Sequence, residues 1–157
     1  MKISRVLING LIIFACIAAF FLLMEAAGLK DQVYLRLVNF IFVIYGINRT
    51  ISANYKDHID GYFANLISGI LTAMVSLVVG IFAFMAYVEY RGGAAYLHTF
   101  AKSYIFGGGE PSINDFCIAL GVEGTAASVI VSFALMQYWK DKVEKINKVD
   151  DVNHVHN

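Results

Sequence analysis

A chain of 157 residues that is 59% apolar and 15% charged lies far from soluble domains, which run near roughly 45–50% and about 25%. A single domain of this size has too much surface for its volume to hide that apolar content from water. An ordinary soluble fold is therefore excluded and the lipid bilayer becomes the solvent. A formal net charge of zero argues against both a nucleic-acid partner and a charged funnel for ionic substrates.

The first apolar run follows Lys2 and Arg5 and predicts a helix over 6–27. A signal peptide is the competing reading. Its apolar stretch is shorter, roughly 7–15 residues, and is followed by small residues, whereas here Glu25 stands in the expected cleavage region. The reading taken is a retained helix. The second run, 33–51, is the least clean, with Arg36, Asn39, Asn48 and Arg49 inside it or at its ends. The third, 62–88, contains no charge and at 1.5 Å per residue spans about 40 Å, more than the roughly 30 Å hydrocarbon core. The fourth, 116–139, holds one charge, Glu123. Residues 141–157 form a polar tail expected to fray.

Between these runs, 29–32 is a tight connection that makes the first two helices antiparallel neighbours, and 52–61 is a short loop. The longer segment 89–115 has internal pattern. Tyr96, Leu97, Phe100, Ala101 and Tyr104 fall on one side of a helical wheel, and His98, Thr99, Lys102 and Ser103 on the other. That spacing predicts an amphipathic helix in the membrane interface, with a solvent loop as the alternative. Gly107 to Pro111 then breaks any helix.

Basic residues set the orientation. With the N-terminus inside, the cytoplasmic side carries Lys2, Arg5, Arg49, Lys56, Lys140, Lys142, Lys145 and Lys148, against Lys30, Arg36, Arg91 and Lys102 outside. Both termini are thus expected in the cytoplasm. Tyr138, Trp139 and Lys140 suit an inner interfacial anchor.

Polar groups in lipid are costly, which makes each a functional candidate. Arg36 and Asn39 are three apart and share a helical face in the outer half of the second span. Glu123 lies about 10 Å inside the fourth by the helical rise, and Glu25 ends the first on the same side. Two readings are open for Glu123, Arg36, Asn39 and Glu25. They form either a structural ion pair or a polar site for an ion, a proton or a small ligand. Helix packing has its own signal: Ser68, Thr72, Ser76 and Gly80 form a four-residue ladder, and Gly124, Ser128 and Ser132 another. Small residues let backbones approach and hydroxyls bond across the gap. Mutual packing of the third and fourth spans is the first reading, and self-association the second.

No cofactor motif is present. Cys16 and Cys117 have no ligand-spaced partner and are read as small buried hydrophobes. His154 and His156 make a poor metal pair on a mobile end. Gly107 to Gly109 lack the flanks of a phosphate loop, and the 56–60 segment around Asp57 and His58 is read as a solvated loop.

Two stretches carry a resemblance. One runs from Glu123-Gly124-Thr125-Ala126-Ala127-Ser128 into Ser132 to Tyr138. The other runs from Arg36-Leu37-Val38-Asn39 through Gly46 and Asn48 to the helix starting near Gly61-Tyr62-Phe63. With four apolar runs, the chain resembles a family of small bacterial membrane proteins classed as a domain of unknown function, over about three-quarters of its length. The resemblance implies a bacterial inner-membrane location and brings no activity, cofactor or catalytic residue.

The fold expected is all-α: a polytopic bundle of four transmembrane helices over 1–140 with one interfacial helix. The bilayer is the first partner, and a second copy or another membrane protein the next. The leading expectation is a non-enzymatic structural or assembly protein. A small ion- or proton-coupled transporter built on Glu123 and Arg36 is the alternative, and an interfacial enzyme using Glu89, His98, Glu110 and Asp115 the third.

Overall fold

The computed structural model describes residues 2–29, 33–59, 61–101 and 112–153, and every element among them is helical. Helix α1 covers Ile3–Ala26. A 3-10 turn, Val33–Leu37, leads into α2, Val38–Lys56. Helix α3 covers Tyr62–Arg91, α4 Ala94–Ala101 and α5 Ile113–Asn153.

Helix α3 overruns its apolar run to Arg91 because its end is set by backbone capping rather than by hydropathy. Gly28 and Gly92 adopt φ of +71° and +119°, a left-handed conformation that only glycine enters without strain. At the end of α3 the Gly93 N–H donates to the Val88 carbonyl at 2.8 Å, satisfying an orphan acceptor of the last turn. Helix α5 starts at a capping box. The Asp115 N–H donates to Ser112 Oγ at 3.2 Å, and the Ser112 N–H donates back to Asp115 Oδ2 at 3.3 Å. Two expectations change as a result. Residues 52–56 are the last turn of α2 rather than loop, and α5 continues through Lys140 to Asn153 where a frayed tail was expected.

Side-chain contacts fix the topology. Arg5 at the start of α1 reaches Asn54 and Asp57 at the end of α2, and Glu25 at the end of α1 reaches Tyr87 and Arg91 at the end of α3. Gln137 on α5 meets Tyr62 at the start of α3. Helices α1 and α3 therefore run one way and α2 and α5 the other. The core has two parts. Ile47, Ile51, Leu66, Ala73, Val131, Met136, Trp139 and Val143 join α2, α3 and α5. Val88, Tyr96, Leu97 and Phe116 join α3, α4 and α5.

Helix α4 places Tyr96 and Leu97 in that second core, so at these two positions the apolar side faces protein. The remainder of the expected interfacial helix, 102–105, lies outside the described residues, as do Glu110, His154 and His156.

Three helices among the described residues are long and apolar enough to cross a membrane. They are Ile3–Ala26, Tyr62–Arg91 and Ile113–Val143, whose most apolar 18-residue stretches have mean hydropathies of 2.8, 2.4 and 1.8. Their outer surfaces carry large apolar side chains such as Leu23, Phe63, Phe82, Ile118 and Ile130, all at least half exposed. A surface of this kind is adapted to lipid rather than to water.

Helix packing in such a medium depends on close contact and hydrogen bonding, because lipid tails are as apolar as leucine. The two small-residue ladders serve different neighbours. Gly124 and Ser132 of α5 face α3. A Cβ on Gly124 would fall 2.4 Å from Leu77 Cδ1, and one on Gly69 of α3 would fall 3.3 Å from Ser132 Oγ. Ser68 and Thr72 of α3 return their hydroxyls to the carbonyls of Ala64 and Ser68, each at 2.7 Å. Thr72 looks toward α1 and α2: Gly10 of α1 sits where a Cβ would be 2.8 Å from the Thr72 carbonyl oxygen.

Candidate functional site

Among the described residues, three polar clusters of three or more side chains join different helices. At the α2 C-terminal end, Arg5 bridges α1 to α2. Its Nη1 donates to Asn54 Oδ1 at 2.7 Å and its Nη2 pairs with Asp57, which also takes Lys2 Nζ at 2.7 Å. The Lys2 ammonium and then the Arg5 guanidinium, both hydrogen-bonded to Asp57, hold its carboxyl down from 3.8 to about 2. A depressed carboxyl stabilises the fold above its unfolded value and loses that contribution as pH falls toward the folded value. The α1–α2 clamp should therefore be intact above pH 3.8 and open as pH approaches about 2. A carboxyl ¹³C titration of Asp57 would give a midpoint near 2, and a midpoint near 4 would contradict the clamp.

One turn deeper lies a buried seam. Asn9 Nδ2 donates to Thr50 Oγ1 at 2.9 Å, and the hydroxyls of Thr50 and Thr72 are 3.0 Å apart. With Thr50 also reaching the Gly46 carbonyl at 3.1 Å, the seam ties α1, α2 and α3 together at one level. Asn9, Thr50 and Thr72 are at most 3% exposed. Asn9 and Thr50 were not singled out from sequence. An amide inside an apolar run was the available signal, because an unpaired amide in lipid is expensive.

At the opposite end Glu25 accepts from three donors: Tyr87 OH, Tyr96 OH at 2.7 Å and Arg91 Nη2 at 2.9 Å. The Arg91 guanidinium also lies 5.4 Å from the Tyr96 ring centroid and 5.9 Å from that of Tyr87, within cation–π range. Burial, and after it the Glu25 carboxylate, pushes the Tyr96 phenol up, so it stays a donor at all physiological pH. This cluster locks α1 to α3 and α4.

The four residues expected to share one polar layer are distributed differently. The ion pair of Glu25 is with Arg91, not Arg36. Arg36 lies in the 3-10 turn, where it is half-buried. Asn39 is in the first turn of α2, and its Oδ1 is buried with no partner among the described residues. Glu123 is exposed on α5, and no ion pair among the described residues joins it to Arg36.

On the wheel of α5, Glu123 shares a face with Ala126, Ile130, Ala134 and Gln137, all exposed. That face lies opposite the side buried against α3, which carries Ser128, Ser132, Met136 and Trp139. Toward the C-terminal end of the apolar part of α5 the expected anchor divides. Tyr138 points outward, while Trp139 turns in and donates from Nε1 to Asn48 Oδ1 at 2.8 Å. Lys142, rather than Lys140, lies over both rings at 4.5 and 4.6 Å. Cys117 is buried and Cys16 half-buried, and both are free thiols. No protein-family model, no curated protein and no solved structure matches this chain.

Proposed function

We propose that this protein is a four-span, non-enzymatic protein of a bacterial inner membrane, with both termini cytoplasmic, that works by docking another membrane protein against the outer face of α5. The single observation that carries this is the position of Glu123. It stands ten residues into α5, about 15 Å along the axis, on the side turned away from its own bundle. A carboxyl facing hydrocarbon costs several kcal/mol unless a donor meets it. Ala126 and Ala134 on the same stripe leave room for a second helix to approach closely.

The partner is a different protein carrying a basic or amide side chain at this depth. A second copy paired symmetrically through α5 would offer Glu123 only another carboxyl at the same depth, whereas a different protein can supply a dedicated donor. An ion pathway shared by Glu123 and Arg36 is disfavoured because Glu123 faces out of the bundle.

The fourth span is α2 with its 3-10 turn. Together they reach about 38 Å, enough to cross the core. The low hydropathy of α2 comes from Arg49 and Lys56, exposed toward its C-terminal end, and from asparagines, of which Asn48 and Asn54 bond inward; nearer its start Phe40, Ile41, Ile44 and Tyr45 face outward. Polar inside and apolar outside is the pattern lipid demands. The bacterial location rests on the family resemblance, and the orientation on the excess of basic residues at the N-terminal side.

Extraction in mild detergent should recover the chain with one co-purifying membrane protein at fixed stoichiometry. Glu123→Ala should weaken that association roughly 5–30-fold, the worth of one intramembrane hydrogen bond, while leaving the fluorescence of buried Trp139 unchanged. Equal recovery with wild type and variant would remove Glu123 from the interface, and no partner at all would remove the proposal.

A further inference from the structure

We propose that the groove between the start of α1 and the end of α2 binds the headgroup of an anionic phospholipid. This rests on the membrane reading above but not on the α5 partner. The groove has a volume of about 510 Å³ and is lined by Lys2, Ser4, Arg5, Ile8, Asn9 and Arg49 among others. That is within the roughly 300–1,000 Å³ of small-ligand sites.

Its charge is unbalanced. Lys2, Arg5 and Arg49 line it with no carboxylate among the lining residues, and among the described residues Lys2 and Arg5 pair with Asp57 beside it. Arg49 has no hydrogen bond or ion pair among the described residues, and it stands exposed at the rim. Its guanidinium can present two parallel N–H donors to a phosphate.

The first turn of α1 also borders the groove, and no side chain caps it. The positive end of the helix dipole therefore adds to the attraction for an anion. Ile3, Ile8 and Ala53 supply an apolar wall. A soluble anion has no use for that wall, whereas the glycerol and first acyl carbons of a lipid would lie along it. In the proposed orientation the groove opens at the cytoplasmic leaflet, where anionic lipids and basic residues meet.

Two of the cations can be removed while Arg5 keeps α1 joined to Asn54 and Asp57. Lys2 is 65% exposed as a side chain and Arg49 is exposed, while Arg5 alone maintains the bond to Asn54. The test is native mass spectrometry of the full chain in detergent with phosphatidylglycerol, phosphatidylcholine or glycerol 3-phosphate added at equal concentration.

The wild type should retain phosphatidylglycerol, and Lys2→Ala/Arg49→Ala should lower its affinity roughly 30-fold. Arg49→Lys should retain most of it. The charge-matched control Lys145→Ala/Lys148→Ala, on the same side of the membrane in the proposed orientation, should bind like wild type. Equal loss in that control would mean general surface attraction and overturn the site. So would retention of phosphatidylcholine as strong as that of phosphatidylglycerol. Binding of glycerol 3-phosphate as tight as the lipid would assign the groove to a free phosphate compound and overturn the lipid. Since the measurement uses the isolated chain, its failure is separate from failure to find the α5 partner.

Discussion

Replacing Gly10 by leucine is expected to destabilise the bundle by about 3 kcal/mol or more. Even a Cβ at this position would lie 2.7 Å from Val75 Cβ and 2.8 Å from the Thr72 carbonyl oxygen, so a helix backbone must retreat. Overpacking typically costs about 1–3 kcal/mol. The same retreat pulls Asn9, the preceding residue, from Thr50, which adds about 0.6–1.7 kcal/mol for a hydrogen bond in the membrane. Gly10→Ala should show the smaller part of the effect. Gly80→Ala provides the contrast. Its Cβ would find only Phe14 Cδ2, at 3.9 Å, so it should be neutral or stabilising by up to about 1 kcal/mol through helix propensity. Unfolding in an SDS titration, followed through the single tryptophan Trp139, reads both. Equal midpoints for Gly10→Leu and wild type would refute the close approach of α1 to α3.

The second large effect is expected at Glu25. Glu25→Ala leaves two phenols and a guanidinium without their common acceptor. Hydrogen bonds to a charged group are worth about 1.5–3 kcal/mol. The Arg91 side chain is 46% exposed, so its share is small, and the loss should come to about 2–3 kcal/mol. The damage should be local as well as global. Amide exchange in Ala94–Ala101 should accelerate, because Tyr96 tethers α4 to α1 through this carboxylate. Tyr96→Phe should reproduce the faster exchange with about 1.5 kcal/mol of lost stability. Unchanged exchange in α4 with Glu25→Ala would show that the hydrophobic contacts of Leu97 hold the helix unaided.

Glu25 also marks where sequence reading stops. The apolar runs declare α1, α3 and α5 because an uninterrupted stretch of this length leaves no other use for the residues. Which residue meets which is a question of helix rotation and neighbour choice, and spacing along the chain does not encode it. Arg36 and Asn39 were placed on one face by α-helical periodicity. Arg36 lies in a 3-10 turn that leads into α2 at Val38, and residues three apart share a face in that geometry too, so periodicity alone leaves open which neighbouring helix they meet. The partner of Glu25 is Arg91, 66 positions away, and it became visible only when α1 and α3 were seen to run in parallel.

The seam at Asn9 was legible in part. An asparagine within an apolar run demands a partner, but the run offers no clue that the partner is a threonine two helices' length away. The ladders were legible as packing surfaces and not as to their neighbours, since the α3 ladder includes Thr72, which bonds toward α2. At the helix ends, hydropathy set the expected limits at 27 and 88. Helix α1 ends at Ala26, within a residue of its limit, whereas α3 runs on to Arg91, where Gly92 permits a left-handed cap.

The most direct test of the proposed role is site-specific photo-crosslinking in native membranes. A photoreactive residue would be placed at Ala126, one turn from Glu123, with Phe82 on α3, 68% exposed, as the reference position. A discrete protein adduct at Ala126, of a mass that is no multiple of this chain and absent at Phe82, is the expected result. Lipid adducts alone at both positions would mean that the α5 face is covered only by the bilayer, and the docking role would be contradicted.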